Sequence, residues 1–241
     1  MVALMRSEWL KLRRSVVWLL ILASALLSLP VGWLGAGHDG GPPWQELIAV
    51  LSVLHGMLLL PLLTCIIAAL VCRYEHLHGG WKQLLSMPVS RTAVYLVKLA
   101  VVALLLLLVQ LAFLLVLLLL GFLKAGSQAV PWELLLTSVI GGWLACLPLA
   151  ALQLFFSALF QSFAAPVAAG VVFTLPNMLI ANSAEYGPYY PWVQPMLAMI
   201  PREHMAFGAF GIASGTLIAV VAASFVVFSA MGWTYFRVKS V

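Results

Sequence analysis

The chain has 241 residues, of which 64% are hydrophobic and 8% are charged, and its mean hydropathy is +1.12. So few polar side chains cannot cover a soluble globule of this size, which excludes a soluble protein and indicates an integral membrane protein. The formal net charge of +5 would suit a polyanion, but basic residues of membrane proteins mark the cytoplasmic side, so we expect no nucleic-acid partner.

Residues 1–14, MVALMRSEWLKLRR, predict a helix that lies along the inner membrane surface, because a basic face opposes an apolar one. A solvated retention signal is the alternative. The apolar run that follows is about 20 residues long, longer than the core of a signal peptide, so we expect an uncleaved first span. The apolar face holds Val2, Met5, Trp9 and Leu12, and the polar face holds Ser7, Lys11 and Arg14.

Six apolar segments are each long enough to cross a bilayer as a helix. They predict an all-α membrane protein with a single transmembrane domain over residues 1–241 and no sizeable soluble domain. Any water-soluble machinery must then come from another chain. The predicted spans are 15–34, 47–71, 99–123, 134–160, 163–181 and 207–235.

The positions of lysine and arginine predict the orientation of these spans. With the N-terminus inside, only Lys124 and Arg202 fall outside. Basic flanks are retained in the cytoplasm, so both termini are expected there. The basic residues expected inside are Arg6, Lys11, Arg13, Arg14, Arg73, Lys82, Arg91, Lys98, Arg237 and Lys239.

The fifth predicted span and the external loop that follows it, residues 182–206, are irregular in sequence. Pro166 and Pro176 interrupt the backbone hydrogen bonds of the span, beside small residues that allow close helix contact. This pattern is typical of packing within one subunit, or of an interface that lines a substrate path with Asn177 as a polar contact. The loop combines prolines with aromatic residues, which predicts either short helices at the outer interface or an ordinary structured loop.

The span interiors carry little chemistry. His55 is their only histidine, acid or base. With no acidic partner evident, a neutral, hydrogen-bonded histidine is favoured over a proton relay, and we keep His55 with Asn177 as candidates for a substrate path. HExxH, GxSxG and the phosphate-binding GxxxxGK[ST] are absent, so the chain is not expected to be an enzyme by itself. The nearest metal-like group has spacing unsuited to a tetrahedral site, and we expect no metal: Cys72, Glu75, His76 and His78.

The cytoplasmic loop 72–98 concentrates charge between two apolar runs. From residue 73 it reads RYEHLHGGWKQLLSMPVSRTAVYLVK, with five of the nineteen charged residues of the chain. Gly79 and Gly80 stop a helix that leaves the membrane, and the residue before Pro88 is pushed out of helical conformation. The pattern predicts a short helix over 81–86, with Ser90 as N-cap of the third span.

Three charged residues of this loop invite a functional interpretation. Arg91 and Lys98 lie two turns apart on the third span, so we expect them to reach headgroups or a docked protein. Glu75 is the only acid of the loop, and we expect it to form a fixed ion pair. A charged retention loop without further function is the alternative.

The loop resembles the first cytoplasmic loop of ABC-2 type permeases, particularly the small six-span subunits of bacterial exporters, including those for self-immunity to lantibiotics and other bacteriocins. The opening EWLKLRRS, residues 8–15, is similar to the E-x-x-K-x-x-R start of that family. The whole chain matches in topology, while motif matches cover these two segments. The matching loop residues are Glu75, Gly79, Gly80, Lys82, Leu84, Leu85, Ser86, Pro88, Ser90, Arg91, Tyr95 and Lys98.

The resemblance implies a coupling helix that sits in a groove on an ATP-binding subunit. Glu75 and Lys82 would position this helix, Trp81 and Leu85 would fill the groove, and Arg91 would anchor the return of the chain. Gly79, Gly80 and Pro88 would isolate the helix. An N-terminal interfacial helix would brace it, with Glu8, Trp9, Lys11 and Arg14 as its functional residues.

The resemblance also implies the permease subunit of an ABC exporter in the bacterial cytoplasmic membrane, which moves an amphipathic or peptide antibiotic-like substrate. It would work with a second permease chain, identical or similar, and with two P-loop ATPase subunits. ATP and Mg²⁺ would bind to the ATPases, and this chain would bind no cofactor. The alternatives are a non-transport assembly or scaffold subunit, and a membrane-embedded metal enzyme that uses the Cys72 to His78 group.

Overall fold

The computed structural model describes residues 2–36, 43–76, 80–86, 88–126, 128–201 and 208–238, without the side chains of residues 2, 3 and 85. A π-helical turn, His55–Leu59, joins two helices into one continuous span, and 3-10 turns occupy Gly187–Tyr189 and Gly208–Gly211. The α-helices are α1 Val2–Leu12, α2 Val17–Gly35, α3 Pro43–Leu54, α4 Leu60–His76, α5 Gly80–Ser86, α6 Arg91–Ala125, α7 Trp132–Leu159, α8 Ala164–Thr174, α9 Asn177–Ala181, α10 Gln194–Met199 and α11 Ser214–Val238.

Five helices of the described chain are long and apolar enough to cross a membrane: α2, α3 through α4, α6, α7 and α11. They confirm the all-α membrane fold. The predicted span 163–181 differs, because α8 ends at Thr174 and α9 begins only after Pro176. Proline has no backbone N–H and its ring clashes with the preceding turn, so this segment forms two short helices. The described structure therefore has five helices of spanning length and one broken apolar segment, where six spans were predicted.

The centre of the bundle is formed by α4, α6 and α7, which pack against one another. The helices α2 and α11 lie at the periphery, and the buried residues of α11 are only Leu217, Gly232 and Phe236. Lipid tails are as apolar as leucine, so these exposed apolar faces are what a spanning helix presents to a bilayer or to a neighbouring subunit.

The segment 182–201 enters the bundle through α10. This helix packs against α7, α11 and the π-helical turn, and Val193, Met196 and Met199 are buried. Gly56 permits the close approach, because a β-carbon there would lie 2.8 Å from Met196 Cα. Short helices occur in this segment, and α10 is buried among the long helices.

Candidate functional site

One end of the bundle brings together α1, α5, the last turn of α4 and the first turns of α6, and the last turn of α11 joins them there. We call this the basic end. It holds the described residues of the predicted loop and the predicted N-terminal helix. The distant chain segments meet through ion pairs, one histidine relay and a cluster of aromatic rings.

Four charged residues, Glu8, Lys11, Glu75 and Lys98, form a connected ion-pair network, which we call the charge cluster. The Lys98 ammonium lies 3.1 Å from Glu8 Oε2 and 3.0 Å from Glu75 Oε1. The Lys11 ammonium lies 2.6 Å from Glu8 Oε1 and 2.7 Å from Glu75 Oε1. Because the four residues come from α1, α4 and α6, the cluster fixes the N-terminal helix to two spans.

Three members of the charge cluster, Glu8, Glu75 and Lys98, are buried, and the charges of the cluster balance. Lys98 is 0% exposed, and it donates a further N–H to the Val71 carbonyl at 2.9 Å. All three donors of this ammonium therefore have acceptors. Two cations face two carboxylates, which is the condition under which buried charges are tolerated. The expected ion pair of Glu75 is confirmed, but the prediction that Lys98 reaches headgroups or a docked protein is wrong, because its ammonium is used inside the subunit.

The short helix α5 folds directly back on the end of α4. Gly80 begins the helix, and a β-carbon there would lie 2.8 Å from the Tyr74 carbonyl oxygen and 2.9 Å from Glu75 Cα. A side chain at this position would therefore push α5 away from α4. Gly80 was the sequence signal for this fold-back. Gly79, the other predicted glycine, lies outside the described residues.

A histidine relay connects α5 to α7. The Trp81 indole N–H donates to His76 Nδ1 at 3.2 Å, and His76 Nε2 lies 2.7 Å from the Ser157 carbonyl oxygen. Since Nδ1 accepts, the proton must sit on Nε2, which donates to Ser157. The Trp81 ring also meets Phe236 of α11 edge-on at 5.6 Å. Movement of α5 would therefore displace groups that contact α4, α7 and α11.

The position of Trp81 differs from its predicted role. We expected it to project into a groove of a partner, but it is 6% exposed and packs inside this subunit. An indole has both an apolar body and a polar N–H, and both are satisfied here. The exposed residues of α5 include Lys82 and Gln83 instead. The side chain of Leu85, the other predicted groove residue, lies outside the description.

The return of the chain into the third span is anchored at its first turn. The Ser90 hydroxyl accepts a hydrogen bond from the Ala93 N–H at 3.1 Å, which confirms the predicted N-cap. Arg91 Nη1 donates to the Arg237 carbonyl at 3.0 Å, at the end of α11. Pro88 is exposed between α5 and this cap.

In the N-terminal helix, Glu8 and Lys11 take part in the charge cluster, whereas Trp9 is 41% exposed. The Trp9 ring meets that of Trp18 edge-on at 5.7 Å. Arg14 is exposed in the turn that follows α1.

His55 and Asn177 lie far along the bundle from the basic end, and both are buried. His55 is buried with its ring stacked on Phe113 at 4.2 Å. The Asn177 amide donates to the Met57 carbonyl at 2.8 Å and to the Trp192 carbonyl at 3.2 Å. Asn177 therefore ties the π-helical turn to the segment that leads into α10.

Two residues of the metal-like group, Glu75 and His76, are engaged in other contacts. The Glu75 carboxylate binds two lysines, and His76 lies between Trp81 and Ser157. No group of three or more histidine, cysteine, aspartate or glutamate side chains that could hold a metal ion occurs in the part of the chain that the structure describes. His78 lies outside that part.

Sequence reasoning missed the link between Glu8 and Lys98. The two residues are 90 positions apart, so no local pattern connects them. The available signal was electrostatic, because an acid in a short amphipathic helix and a lysine inside an apolar span each need a partner.

Comparison with known proteins gives one finding on identity. Residues 4–177, about three-quarters of the chain, match the family described as ABC-2 family transporter protein. The matched region contains all four residues of the charge cluster, α5 and the histidine relay. No curated protein matches the sequence.

Proposed function

The chain belongs to the ABC-2 family of transporter proteins, and from this premise we propose that it is the permease subunit of an ABC exporter, driven by ATP that separate P-loop ATPase subunits hydrolyse with Mg²⁺. The observation that carries the proposal is the attachment of α5. This exposed short helix is bound through Trp81 and His76 to α4, α7 and α11. A partner that moves α5 would therefore move several spans together.

The distribution of charge supports a cytoplasmic location for the basic end. The exposed charged residues described there are all basic, whereas three of the four charged residues described at the opposite end are acidic: Glu46, Glu133 and Glu185 beside Lys124. Basic flanks stay on the cytoplasmic side, so α5 would face the ATPases of a bacterial inner membrane. Two permease chains, identical or similar, would then switch together between inward and outward states.

An amphipathic or antibiotic-like peptide is our proposal for the substrate. It rests on the resemblance of the loop 72–98 to immunity exporters. One structural feature is compatible with it, a lateral cleft of about 360 Å³ between α7, α10 and α11, lined by apolar residues such as Gly141, Ala198 and Phe225. Such a cleft would accept the apolar part of an amphipathic molecule.

The proposal is tested by co-expressing the tagged chain with the candidate P-loop ATPase of the same organism and purifying the complex. In proteoliposomes, ATP hydrolysis by the complex should rise when nisin, as a model amphipathic peptide, is added. The double variant Lys82→Ala with Gln83→Ala should abolish this coupling, since both residues are exposed on α5. Gln128→Ala, an exposed residue at the opposite end, is the matched control.

A scaffold subunit is the alternative function. It would bind partners without changing the rate of ATP hydrolysis and without moving a peptide across the bilayer. Complex formation without either activity would therefore contradict the exporter proposal.

A further inference from the structure

An apolar groove of about 270 Å³ runs between α2 and α6 at the periphery of the bundle. We call it the α2–α6 groove. It begins at Trp18, in the first turn of α2, and extends along that helix to Leu29. At a rise of 1.5 Å per residue, the helix between these two side chains is about 16 Å long. The hydrocarbon core of a bilayer is about 30 Å thick, so the groove is about as long as one leaflet.

The walls of the groove are formed by leucines from both helices. Leu22 and Leu26 of α2 line it together with Leu115 and Leu119 of α6, and all four are exposed. Ala112 also lines it and is half-buried, so its small side chain leaves room between the leucines. None of the described residues that line the groove is charged. Exposed leucines on a membrane-spanning helix contact either lipid chains or another helix.

The composition of α2 favours a lipid chain over another helix. Helices in a bilayer associate through small and polar residues, which let the two backbones approach closely. On α2 these residues are Ser24, Ser28 and Gly32, and all three are buried inside this subunit. A β-carbon on Gly32 would lie 2.6 Å from Leu120 Cδ1 of α6. The close-packing side of α2 is therefore already used, and its outer side presents mainly leucine.

Trp18 joins the groove to the end of α1. Its indole N–H donates to the Leu12 carbonyl at 3.0 Å, and its ring meets that of Trp9 edge-on at 5.7 Å. Both tryptophans are partly exposed. Tryptophan is enriched at the level of the lipid headgroups, because its ring is apolar and its N–H is polar. The groove therefore begins at the headgroup level of the leaflet at the basic end.

Two arginines follow the residue that Trp18 contacts. Arg13 and Arg14 come directly after Leu12, and both are exposed. The Arg13 N–H donates to the Trp9 carbonyl at 3.1 Å, so Arg13 continues the helix beside the tryptophan pair. No acid that the structure describes forms an ion pair with either arginine, and Glu8, the acid of α1, is buried in the charge cluster. An anionic headgroup would supply the missing counter-charge.

We propose that the α2–α6 groove and these two arginines form a binding site for an anionic phospholipid of the leaflet at the basic end. One acyl chain lies in the groove, and the phosphate accepts hydrogen bonds from the guanidinium groups of Arg13 and Arg14. The site requires only that the chain spans a membrane, so it does not depend on the proposed transport function. Because Trp18 contacts both parts of the site, the lipid would hold α1 against α2 and α6.

The experiment uses the purified full-length chain in detergent. The anionic probe is palmitoyl-oleoyl phosphatidylglycerol, and the neutral probe is phosphatidylcholine with the same acyl chains. Native mass spectrometry at increasing lipid concentration measures the affinity for each. The parent should prefer phosphatidylglycerol by about tenfold or more, the effect of two basic residues near one anionic headgroup. Arg13→Gln with Arg14→Gln should remove most of this preference and leave the affinity for phosphatidylcholine unchanged.

The matched control is Arg73→Gln with Arg237→Gln, which removes the same charge from exposed positions on α4 and α11 at the basic end. It should keep the preference for phosphatidylglycerol within about twofold of the parent. Equal losses in the two double variants would mean that the whole surface attracts the lipid, and would overturn the proposed site. Equal affinity of the parent for the two lipids would overturn it as well.

The groove is tested separately. Ala112→Phe fills it and should weaken the binding of both lipids by about tenfold, because an acyl chain loses several buried CH₂ groups. Ala23→Phe, at an exposed position of α2 outside the groove, should have no effect. Equal lipid binding by these two variants would overturn the groove as the site. If Ala112→Phe does not fold, the exposed arginine pair decides the proposal by itself.

Light scattering in the same detergent tests the other occupant, a second copy of this chain. If Ala112→Phe leaves lipid binding unchanged and converts a dimer into a monomer, a neighbouring subunit fills the groove and the proposal is overturned. An unchanged oligomeric state together with weakened lipid binding supports the phospholipid.

Discussion

The charge cluster predicts a large stability loss when one lysine is removed and a much smaller one when a lysine and an acid are removed together. Lys98→Met leaves two buried carboxylates with Lys11 alone, and it removes the donors to Glu8 Oε2 and the Val71 carbonyl. Breaking a buried ion pair on one side costs about 3–5 kcal/mol. For a chain of this size each kcal/mol lowers the Tm by about 2–4 °C, so the Tm should fall by roughly 6–20 °C.

The double variant Lys98→Met with Glu75→Gln leaves a balanced pair, Glu8 and Lys11, at 2.6 Å. Its Tm should recover a large part of the loss, with an interaction energy of about 2–3 kcal/mol in the double-mutant cycle. Thermal unfolding of the purified protein in detergent, followed by circular dichroism, measures all four proteins. Lys82→Met makes the same chemical change at an exposed site and should cost less than about 0.5 kcal/mol.

A loss of no more than about 1 kcal/mol for Lys98→Met, the usual contribution of an exposed ion pair, would contradict a buried network. Simple addition of the losses of the two single variants would contradict it equally. Either result would mean that the charges are hydrated and that α1 is not held by them.

Three other substitutions test the packing and the relay. Gly56→Ala should lower stability by about 1–3 kcal/mol, because its β-carbon would lie 2.8 Å from the backbone of α10. The control Gly215→Ala should cause no loss, since no atom lies within 4 Å of the added β-carbon. Equal Tm values for the two variants would contradict the close packing. Asn177→Leu removes the side-chain donor to the Met57 and Trp192 carbonyls and should cost about 1–3 kcal/mol in the same unfolding assay. No loss of stability would mean that water replaces the amide. His76→Phe keeps a ring but removes both hydrogen bonds of the imidazole. The ATPase should still bind to this variant, while peptide-stimulated ATP hydrolysis should fall. Unchanged stimulation would mean that the histidine relay does not transmit movement of α5.

Local features of the fold could be predicted because the sequence specifies them within a few residues. The expected helix over 81–86 is present as Gly80–Ser86, and the Ser90 N-cap has the expected hydrogen bond. Five of the six apolar runs predicted to be spans contain long helices of the described chain, since a helix satisfies its own backbone in a bilayer. Pro176 showed where the fifth segment is interrupted, although a continuous span was predicted there.

The contacts between distant segments could not be predicted in the same way. Hydropathy marks α10 as apolar but does not indicate how closely it packs inside the bundle. That packing depends on glycines in two other helices, Gly56 and Gly142. Trp81 has an amphipathic side chain that suits a groove in a partner as well as a site inside its own subunit. The resemblance predicts a coupling role for the loop 72–98, but the attachment of α5 to α7 and α11 depends on the tertiary fold.

The positive charge on the surface of the basic end and the attachment of α1 have the same cause. Glu8 and Glu75 are buried because two lysines neutralise them, and their burial leaves only basic side chains on the described surface of the basic end. Release of α1 would bring the Glu8 carboxylate to that surface and reduce its positive charge. A variant that weakens the charge cluster should therefore lower the attraction of this surface for anionic groups, because a released acid cancels part of its positive charge.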